Sequence, residues 1–543
     1  MENSSSWVTR GYLRPCLLLL SILAAQPLVA EEISPVVAEP SPPTVAETLT
    51  RATAPDGSYI SWVEHLIDGH DQPNGAPIVG GDGLALYDID QDGFMDIVSV
   101  HEDSHHLRIA FGSEDPDHWE NVTIAQGALV GAIEDVAVGD LNGDAWPDIV
   151  VACEDAHLAY FENPGSKARS TEWSSLIPTV TQNRGSWLQV AIADMNGDGK
   201  NEVVAANKGF DDIVRLKPGE RPELPTSMFR IEGAPLNSAA WNEQVLLAEG
   251  IPNQAITFDL DSDGDFDVLA SARLRNRMFI LENLGPEPGG SIRSVTHPIE
   301  IAPSFDTPLG WKALSNAFNA VFADINQDGR ADLLMSVMEF DAEHGRAWVR
   351  AELGWLAQPE RLSDPWIYHR IGNTLPDWII GVAAADIDGD GDMDAITGGY
   401  SGLNVIVGSY SGESRDFDDP AVTASSSVAR IAWFENPGVE NATWQRHDIS
   451  RRVRGMYDDF VARDMDADGD LDLVSTRGNS GEYDGVFWLE QVRSSEPRAA
   501  FTPARANESR HLPLPPVDWR DHYGQRAEYE APNKAAQKSA LRK

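Results

Sequence analysis

Residues 88–96 read DIDQDGFMD, and the same acidic phrase returns as DLNGDAWPD from Asp140, DMNGDGKNE from Asp194, DLDSDGDFD from Asp259, DINQDGRAD from Asp324, DIDGDGDMD from Asp386 and DMDADGDLD from Asp464. In each of the seven copies an oxygen-bearing side chain stands at positions 1, 3, 5 and 9, and an apolar run follows. Oxygen donors at that density suit a hard cation, and calcium takes about six to eight of them. The internal repeat also overrides the expectation that 543 residues make several domains, because each unit buries its apolar face only against its neighbours.

Around each phrase lie four apolar runs of strand length. In the second copy they fall at 136–138, 149–152, 158–161 and 173–177. The third run recurs as YFENPG at Tyr160, ILENLG at Ile280, WFENPG at Trp433 and WLEQ at Trp488; the fourth recurs at Trp119, as WIYHRI at Trp366 and as WQRHDI at Trp444. Short runs separated by turn residues predict antiparallel strands. Four strands repeated seven times, with starts 52 to 78 residues apart, predict an all-β fold, a seven-bladed β-propeller of four-stranded antiparallel blades. WVEHLI at Trp62 has the fourth-strand pattern but precedes the first phrase, and nothing comparable follows Trp488. The expectation is that this N-terminal strand completes the seventh blade and closes the ring.

These loops and runs resemble the FG-GAP and VCBS repeat family, which includes the propeller of integrin α subunits. The resemblance covers about 430 residues of the chain. It implies that each loop joins the first two strands of a blade and binds calcium through the side chains at positions 1, 3, 5 and 9 and the carbonyl at position 7. On that pattern the first site is Asp88, Asp90, Asp92 and Asp96 with the carbonyl of Phe94, and the second is Asp140, Asn142, Asp144 and Asp148 with that of Trp146. The third would use Asp194, Asn196, Asp198, Glu202 and Lys200, and the fourth Asp259, Asp261, Asp263, Asp267 and Asp265. The fifth would use Asp324, Asn326, Asp328, Asp332 and Arg330, the sixth Asp386, Asp388, Asp390, Asp394 and Asp392, and the seventh Asp464, Asp466, Asp468, Asp472 and Asp470. Two copies depart from the pattern: Ala145 stands where the turn wants glycine, and Glu202 replaces the final Asp. An EF-hand would carry its bidentate Glu at position 12 between helices, which these loops do not.

The ends differ in composition. Residues 1–30 hold Arg10 and Arg14, an apolar stretch and a small-residue end at Ala30, the pattern of a cleaved signal peptide that leads to a secreted, periplasmic or extracellular location. A Pro, Ala and Glu-rich stretch at 31–57 reads as a linker, the propeller as 58–491, and the Arg-rich residues 492–543 as a disordered basic tail. Cleavage would leave Cys153 as the single thiol, so no internal disulfide is expected. The formal charge of -45 disfavours nucleic acid as a partner, and no stretch beyond the leader suggests a membrane span. Part of that charge has a local purpose, since 25 carboxylates lie at positions 1, 3, 5 and 9 of the seven loops.

Function is expected on the opposite face, in turns that do not repeat. Those between second and third strands carry His101, His105, His106, His157, Lys208, Arg273, His344, Arg477 and Tyr483, and neighbouring loops add Arg184, Trp187, Trp378, Arg452 and Tyr457. If they converge, they suit an anionic or polyhydroxylated ligand. One reading is a binding or adhesion module for a carbohydrate or an extracellular protein. The other is a carbohydrate lyase or dehydratase using His and Tyr as acid and base. Residues 401–430, rich in Gly and Ser, form a loop or a lid.

Overall fold

The computed structural model describes residues 41–210, 222–272, 277–302, 312–314, 319–341, 346–401, 422–439, 442–506 and 508–516. The expected signal peptide, most of the 401–430 insertion, Arg273, His344 and residues 517–543 lie outside them.

Every acidic phrase is the turn between the first and second strands of an antiparallel sheet. Blade 1 consists of Gly81–Tyr87, Asp96–His101, His106–Phe111 and Glu120–Gln126. Blade 2 consists of Ile133–Gly139, Asp148–Cys153, His157–Glu162 and Ser174–Leu176, and blade 3 of Ser186–Ala193, Glu202–Gly209, Pro225–Ile231 and Trp241–Ala248. Blade 4 consists of Ala255–Phe258, Asp267–Ala272, Arg277–Pro286 and Ile292–Pro298, and blade 5 of Ala320–Ala323, Asp332–Asp341, Arg346–Ala357 and Trp366–Asn373. Blade 6 consists of Trp378–Ala385, Asp394–Tyr400, Ala429–Glu435 and Gln445–Arg452. Blade 7 takes Phe460–Arg463, Asp472–Arg477 and Gly485–Ser494 from the C-terminal end, and its fourth strand is Tyr59–Asp68.

That fourth strand pairs antiparallel with Gly485–Ser494 from Tyr59↔Ser494 to Asp68↔Val486, so the two ends of the repeat region share one sheet. The chain is a closed seven-bladed β-propeller, with an apolar cluster at each of its seven blade junctions. Ile67, Leu84, Ile97, Val474 and Trp488 fill the junction that closes the ring. Second strands such as Asp96–His101 are buried along their whole length, because a neighbouring blade covers each face. This explains why they read as continuous apolar runs rather than alternating ones.

The recurrent His of the fourth strand has a packing role. His65 stacks on Trp488 at 4.3 Å, His369 on Trp355 at 4.2 Å and His447 on Trp433 at 4.4 Å, each across the third and fourth strands. His65 also meets Glu490, and His447 meets Glu435, both at 2.7 Å.

Two sequence boundaries are corrected. Val492–Ser494 continue a strand of blade 7, Phe501–Thr502 add a fifth, parallel to Trp62 and Val63, and Leu512 is buried. The supposed linker joins the same structure: Thr50 N donates to Arg498 O at 2.8 Å, Val45 N to Leu512 O at 3.0 Å, and Val45, Ala46 and Ala52 are buried. Composition concealed this because each segment buries few residues, and the arginines find counterions elsewhere, Arg505 on Asp71 for example. Among the described residues no helix is long and apolar enough to cross a membrane.

Candidate functional site

Loop geometry follows from three recurring carboxylates. At position 1, one oxygen of Asp88, Asp140, Asp194, Asp259, Asp324, Asp386 and Asp464 accepts the position-6 N–H at 2.9 to 3.2 Å. At position 5, Asp92, Asp144, Asp198, Asp263, Asp328, Asp390 and Asp468 accept the N–H of position 7 at 2.8 to 3.1 Å. That N–H belongs to Phe94, Trp146, Lys200, Asp265, Arg330, Asp392 and Asp470 in turn.

Position 9 ties the loop to the blade. One oxygen of Asp96, Asp148, Glu202, Asp267, Asp332, Asp394 and Asp472 accepts the N–H of position 2 at 2.8 to 3.1 Å. In six copies the other oxygen accepts a backbone N–H at the end of the third strand, at 2.7 to 2.9 Å. Glu202 instead accepts from Asn196 Nδ2 at 2.8 Å. Burial, opposed by these bonds, pushes the group up to about 7 at Asp96, Glu202, Asp267, Asp332 and Asp472, about 6 at Asp148 and about 8 at Asp394. A cation in the loop would supply the charge that favours their ionised form.

The loops divide into two kinds. In four of them three carboxylate oxygens lie within 4.8 Å of one another: Asp88, Asp90 and Asp96; Asp259, Asp261 and Asp263; Asp386, Asp388 and Asp394; Asp464, Asp466 and Asp472. The second, third and fifth carry Asn at position 3, and its amide donates to a neighbouring carboxylate: Asn142 to Asp144 at 3.1 Å, Asn196 to Glu202 at 2.8 Å and Asn326 to Asp328 at 3.1 Å. In the first loop a guanidinium already engages part of the set, with Arg169 bonded to Asp90 at 2.5 Å and to Asp92 at 2.7 Å.

Position 6 adopts positive φ, 97° at Gly93 and 73° at Ala145, so the glycine missing from the second copy is replaced at the cost of strain. Ala145→Gly is expected to raise stability by about 0.5–1 kcal/mol, the relief of strain being partly offset by glycine's greater freedom when unfolded. Urea unfolding measures this, and an unchanged midpoint would show that the loop is unstrained. Position 4 is also left-handed in non-glycine copies, with φ of 58° at Gln91 and 62° at Ala467, which the sequence reading did not mark.

The recurrent ENPG phrase has a role the sequence did not disclose. The amide after the third strand donates to a position-2 carbonyl in the preceding blade's loop: Asn163 to Ile89 at 3.0 Å, Asn283 to Met195 at 2.7 Å and Gln358 to Leu260 at 2.8 Å. Asn436 does the same to Ile325 at 3.1 Å, and Gln491 to Ile387 at 3.0 Å. The acidic loops are therefore linked from blade to blade.

On the opposite face the described basic and aromatic candidates are largely engaged in internal contacts. His101 is buried, bonded to Ser99 at 3.1 Å and pushed down to about 3 chiefly by burial. His105 Nδ1 accepts from Ala132 N at 2.6 Å, which clips blade 1 to blade 2, and burial lowers buried His106. His157 Nε2 meets Leu129 O at 2.9 Å, and Lys208 pairs with Glu154. Arg184 pairs with Glu243 at 2.8 Å, Trp187 is buried, and Trp378 stacks on Tyr400.

Two candidate arginines, Arg452 of blade 6 and Arg477 of blade 7, are paired inside the protein. Arg452 forms a two-pronged pair with Glu64 at 2.8 and 2.9 Å and reaches Glu508 at 3.0 Å, within 3.5 Å of the Tyr457 hydroxyl. Arg477 pairs with Glu508 and donates to Ser480 at 3.0 Å, while Tyr483 lies under the Arg505 guanidinium. All four members of the Arg452, Arg477, Glu64 and Glu508 network are buried. Glu64→Gln leaves Arg452 and Arg477 to share Glu508, which Arg505 also meets at 3.3 Å, and is expected to cost about 3 kcal/mol. Denaturant unfolding tests it, and a loss under about 1 kcal/mol would mean that Glu508 alone suffices.

Acidic side chains gather on or beside the first strands of the blades. Asp82, Asp135, Asp458 and Asp459 lie on or beside the first strands, and desolvation pushes all four carboxyls upward, to about 7 at Asp135 and Asp459 and about 6 at Asp458. Asp135 accepts Val190 N at 2.9 Å from the next blade, and Asn319 of blade 5 donates to Asp458 Oδ1 at 3.0 Å. A signal was available: polar residues stand five or six positions before most loops, including Asp82, Asp135, Gln189, Gln254, Asn319 and Asp459.

Comparison with protein families finds a model described as an FG-GAP-like repeat matching residues 88–151, 140–205 and 259–335. Among curated proteins no match is found. Among solved structures, a crystal structure of BBS1N in complex with ARL6DN, soaked with lead, shares 9% identity at a TM-score of 0.39, covering 78% of this chain and 96% of that one. A second, of BBS1N in complex with ARL6DN soaked with mercury, shares 10% identity at a TM-score of 0.41, covering 82% and 100%. The likeness is distant in both cases.

Proposed function

We propose, from the premise that this chain is an FG-GAP-like repeat protein, that it is a calcium-stabilised binding propeller acting outside the cytoplasm, with an extracellular protein or carbohydrate as partner. The observation that carries the calcium assignment is the convergence of three carboxylate oxygens within 4.8 Å in each of four loops. Calcium–oxygen distances of about 2.3–2.6 Å allow such a set to surround one ion. The side chains at positions 1, 3, 5 and 9 and the carbonyl at position 7 would hold it. The ion would supply charge neutralisation and cross-linking within a blade.

The binding reading is favoured over the lyase or dehydratase because the described His and Arg candidates are engaged in internal bonds. His101 is buried, and Arg477 is held by Glu508. Secretion rests on the leader-like residues 1–30.

Calorimetric titration of calcium into the chelated protein tests the ion. Several equivalents of binding are expected, with about one fewer in Asp386→Asn/Asp388→Asn, and no heat at any concentration would refute it. Release of unsaturated products from acidic polysaccharides, read by ultraviolet absorbance, would overturn the binding reading in favour of the enzyme.

A further inference from the structure

Arg169 belongs to blade 2 but its charge serves blade 1. It stands six residues after Asn163, whose amide donates to Ile89 O at 3.0 Å and so lays the following chain against the first acidic loop. Ala168 is buried and its carbonyl accepts from the Trp173 indole at 3.0 Å, which fixes the backbone beside Arg169. From there the guanidinium meets three carboxylates of blade 1: Asp90 at 2.5 Å, Asp92 at 2.7 Å and Glu120 at 3.0 Å. It also lies over the Phe111 ring, 5.1 Å from the ring centre.

The oxygens it takes are the ones an ion would need. Asp90 Oδ1 accepts Asp92 N at 3.2 Å and Asp92 Oδ1 accepts Phe94 N at 2.9 Å, so Oδ2 is the oxygen of each that the loop backbone does not engage. Arg169 binds both of these Oδ2 atoms. The other three loops with converging carboxylates differ: among the described residues no Lys or Arg pairs with Asp261, Asp263, Asp388, Asp390, Asp466 or Asp468. Arg493 reaches the sixth loop, but it donates to the carbonyls of Ile387 and Asp388 at 3.1 and 3.2 Å. Arg169 is also a departure from the repeat, since Gly289, Asp364, Ala442 and Pro497 stand six residues after the other clip residues, Asn283, Gln358, Asn436 and Gln491.

We propose that Arg169 is a built-in counterion of the first loop that competes with calcium for Asp90 and Asp92, so that this loop fills at a higher calcium concentration than the fourth, sixth and seventh. The inference rests on the calcium reading above. A two-pronged guanidinium neutralises the carboxylates without a metal, and a divalent ion on the same oxygens would bring like charge against it. When calcium is scarce, Arg169 holds blade 2 to blade 1 by charge. When it is plentiful, Arg169 gives up the two aspartates and keeps Glu120; its side chain is 36% exposed and can shift without crossing the core.

Calorimetric titration of calcium into the chelated full chain tests this in the wild type, in Arg169→Ala and in Asp88→Asn, a ligand position with which Arg169 does not pair. The wild type is expected to show one weak equivalent whose Kd falls about five- to tenfold in Arg169→Ala. That equivalent should be lost in Asp88→Asn, with the others unchanged in both variants. Superimposable isotherms for wild type and Arg169→Ala, or weaker binding in the variant, would overturn the inference, while the remaining equivalents would spare the calcium reading. No calcium uptake by any of the three proteins would overturn both. Arg169→Lys keeps the charge but not the two-pronged geometry and should give an intermediate Kd. It replaces the alanine variant if that one does not melt cooperatively, and a lysine variant that binds calcium no tighter than the wild type would then count against the competition.

Discussion

Removing calcium with a chelator is expected to lower the midpoint of thermal unfolding by about 10 °C. A ligand at 100 times its Kd stabilises the folded state by about 2.7 kcal/mol per site. Four loops have three converging carboxylates each. For a propeller of this size the unfolding entropy is about 1 kcal/mol/K, so four sites correspond to about 10 °C. Calorimetry with and without chelator measures the shift, and a midpoint that ignores chelation would remove the ion from the account of stability.

The effect has a definite dependence on pH. Without a cation, burial raises the position-9 carboxyls above the ordinary carboxylate range, to about 7 at Asp96, Asp267, Asp332 and Asp472. The folded state then holds more protons than the unfolded one between about pH 4 and pH 7. Their stabilising contribution is complete below the unfolded value and is lost as pH rises through about 7. Chelated protein should therefore melt lower at pH 8 than at pH 5, and the gap opened by chelation should widen over the same range. A gap that narrows toward pH 8 would reverse the sign of the argument.

Deleting residues 58–68 is expected to abolish folding. This strand pairs along its length with Gly485–Ser494 and buries Ile60, Trp62 and Ile67. It also carries Asp68, which binds the buried Arg108 at 2.7 and 2.9 Å, and Glu64, which binds the buried Arg452. Stranding a buried charge costs about 3–5 kcal/mol, and two such losses with the apolar ones exceed the usual net stability of about 5–15 kcal/mol. The deletion variant should show no cooperative melting, and adding a peptide of residues 43–70 should restore it. A cooperative transition within a few degrees of the intact chain would mean that the ring closes without this strand.

How far the sequence could be read depends on whether a feature repeats. Ala145 was identifiable as a strained position because six other copies place glycine there, and its φ of 73° agrees. WVEHLI was assignable to the last blade because its pattern matched other fourth strands. The left-handed position 4 escaped notice, since Gln91, Ser262, Gln327 and Ala467 disguise it among glycines. The Asn and Gln clips were visible only as a recurrent phrase, because their acceptors belong to another blade.

Sequence by itself determined the number of blades, the strand order within each, the closure by the N-terminal strand and the placement of the acidic loops. The blade number and the closure follow from counting repeats and matching their strand patterns, and the placement of the loops from the resemblance to FG-GAP repeats. Tertiary structure alone decided what the opposite face offers. Arg452 and Arg477 looked available for a ligand until Glu64, 388 residues from Arg452, and Glu508 were placed against them. Whether a charge is free or spent depends on its distance to other charges in space, and in a closed ring that distance bears no relation to separation along the sequence.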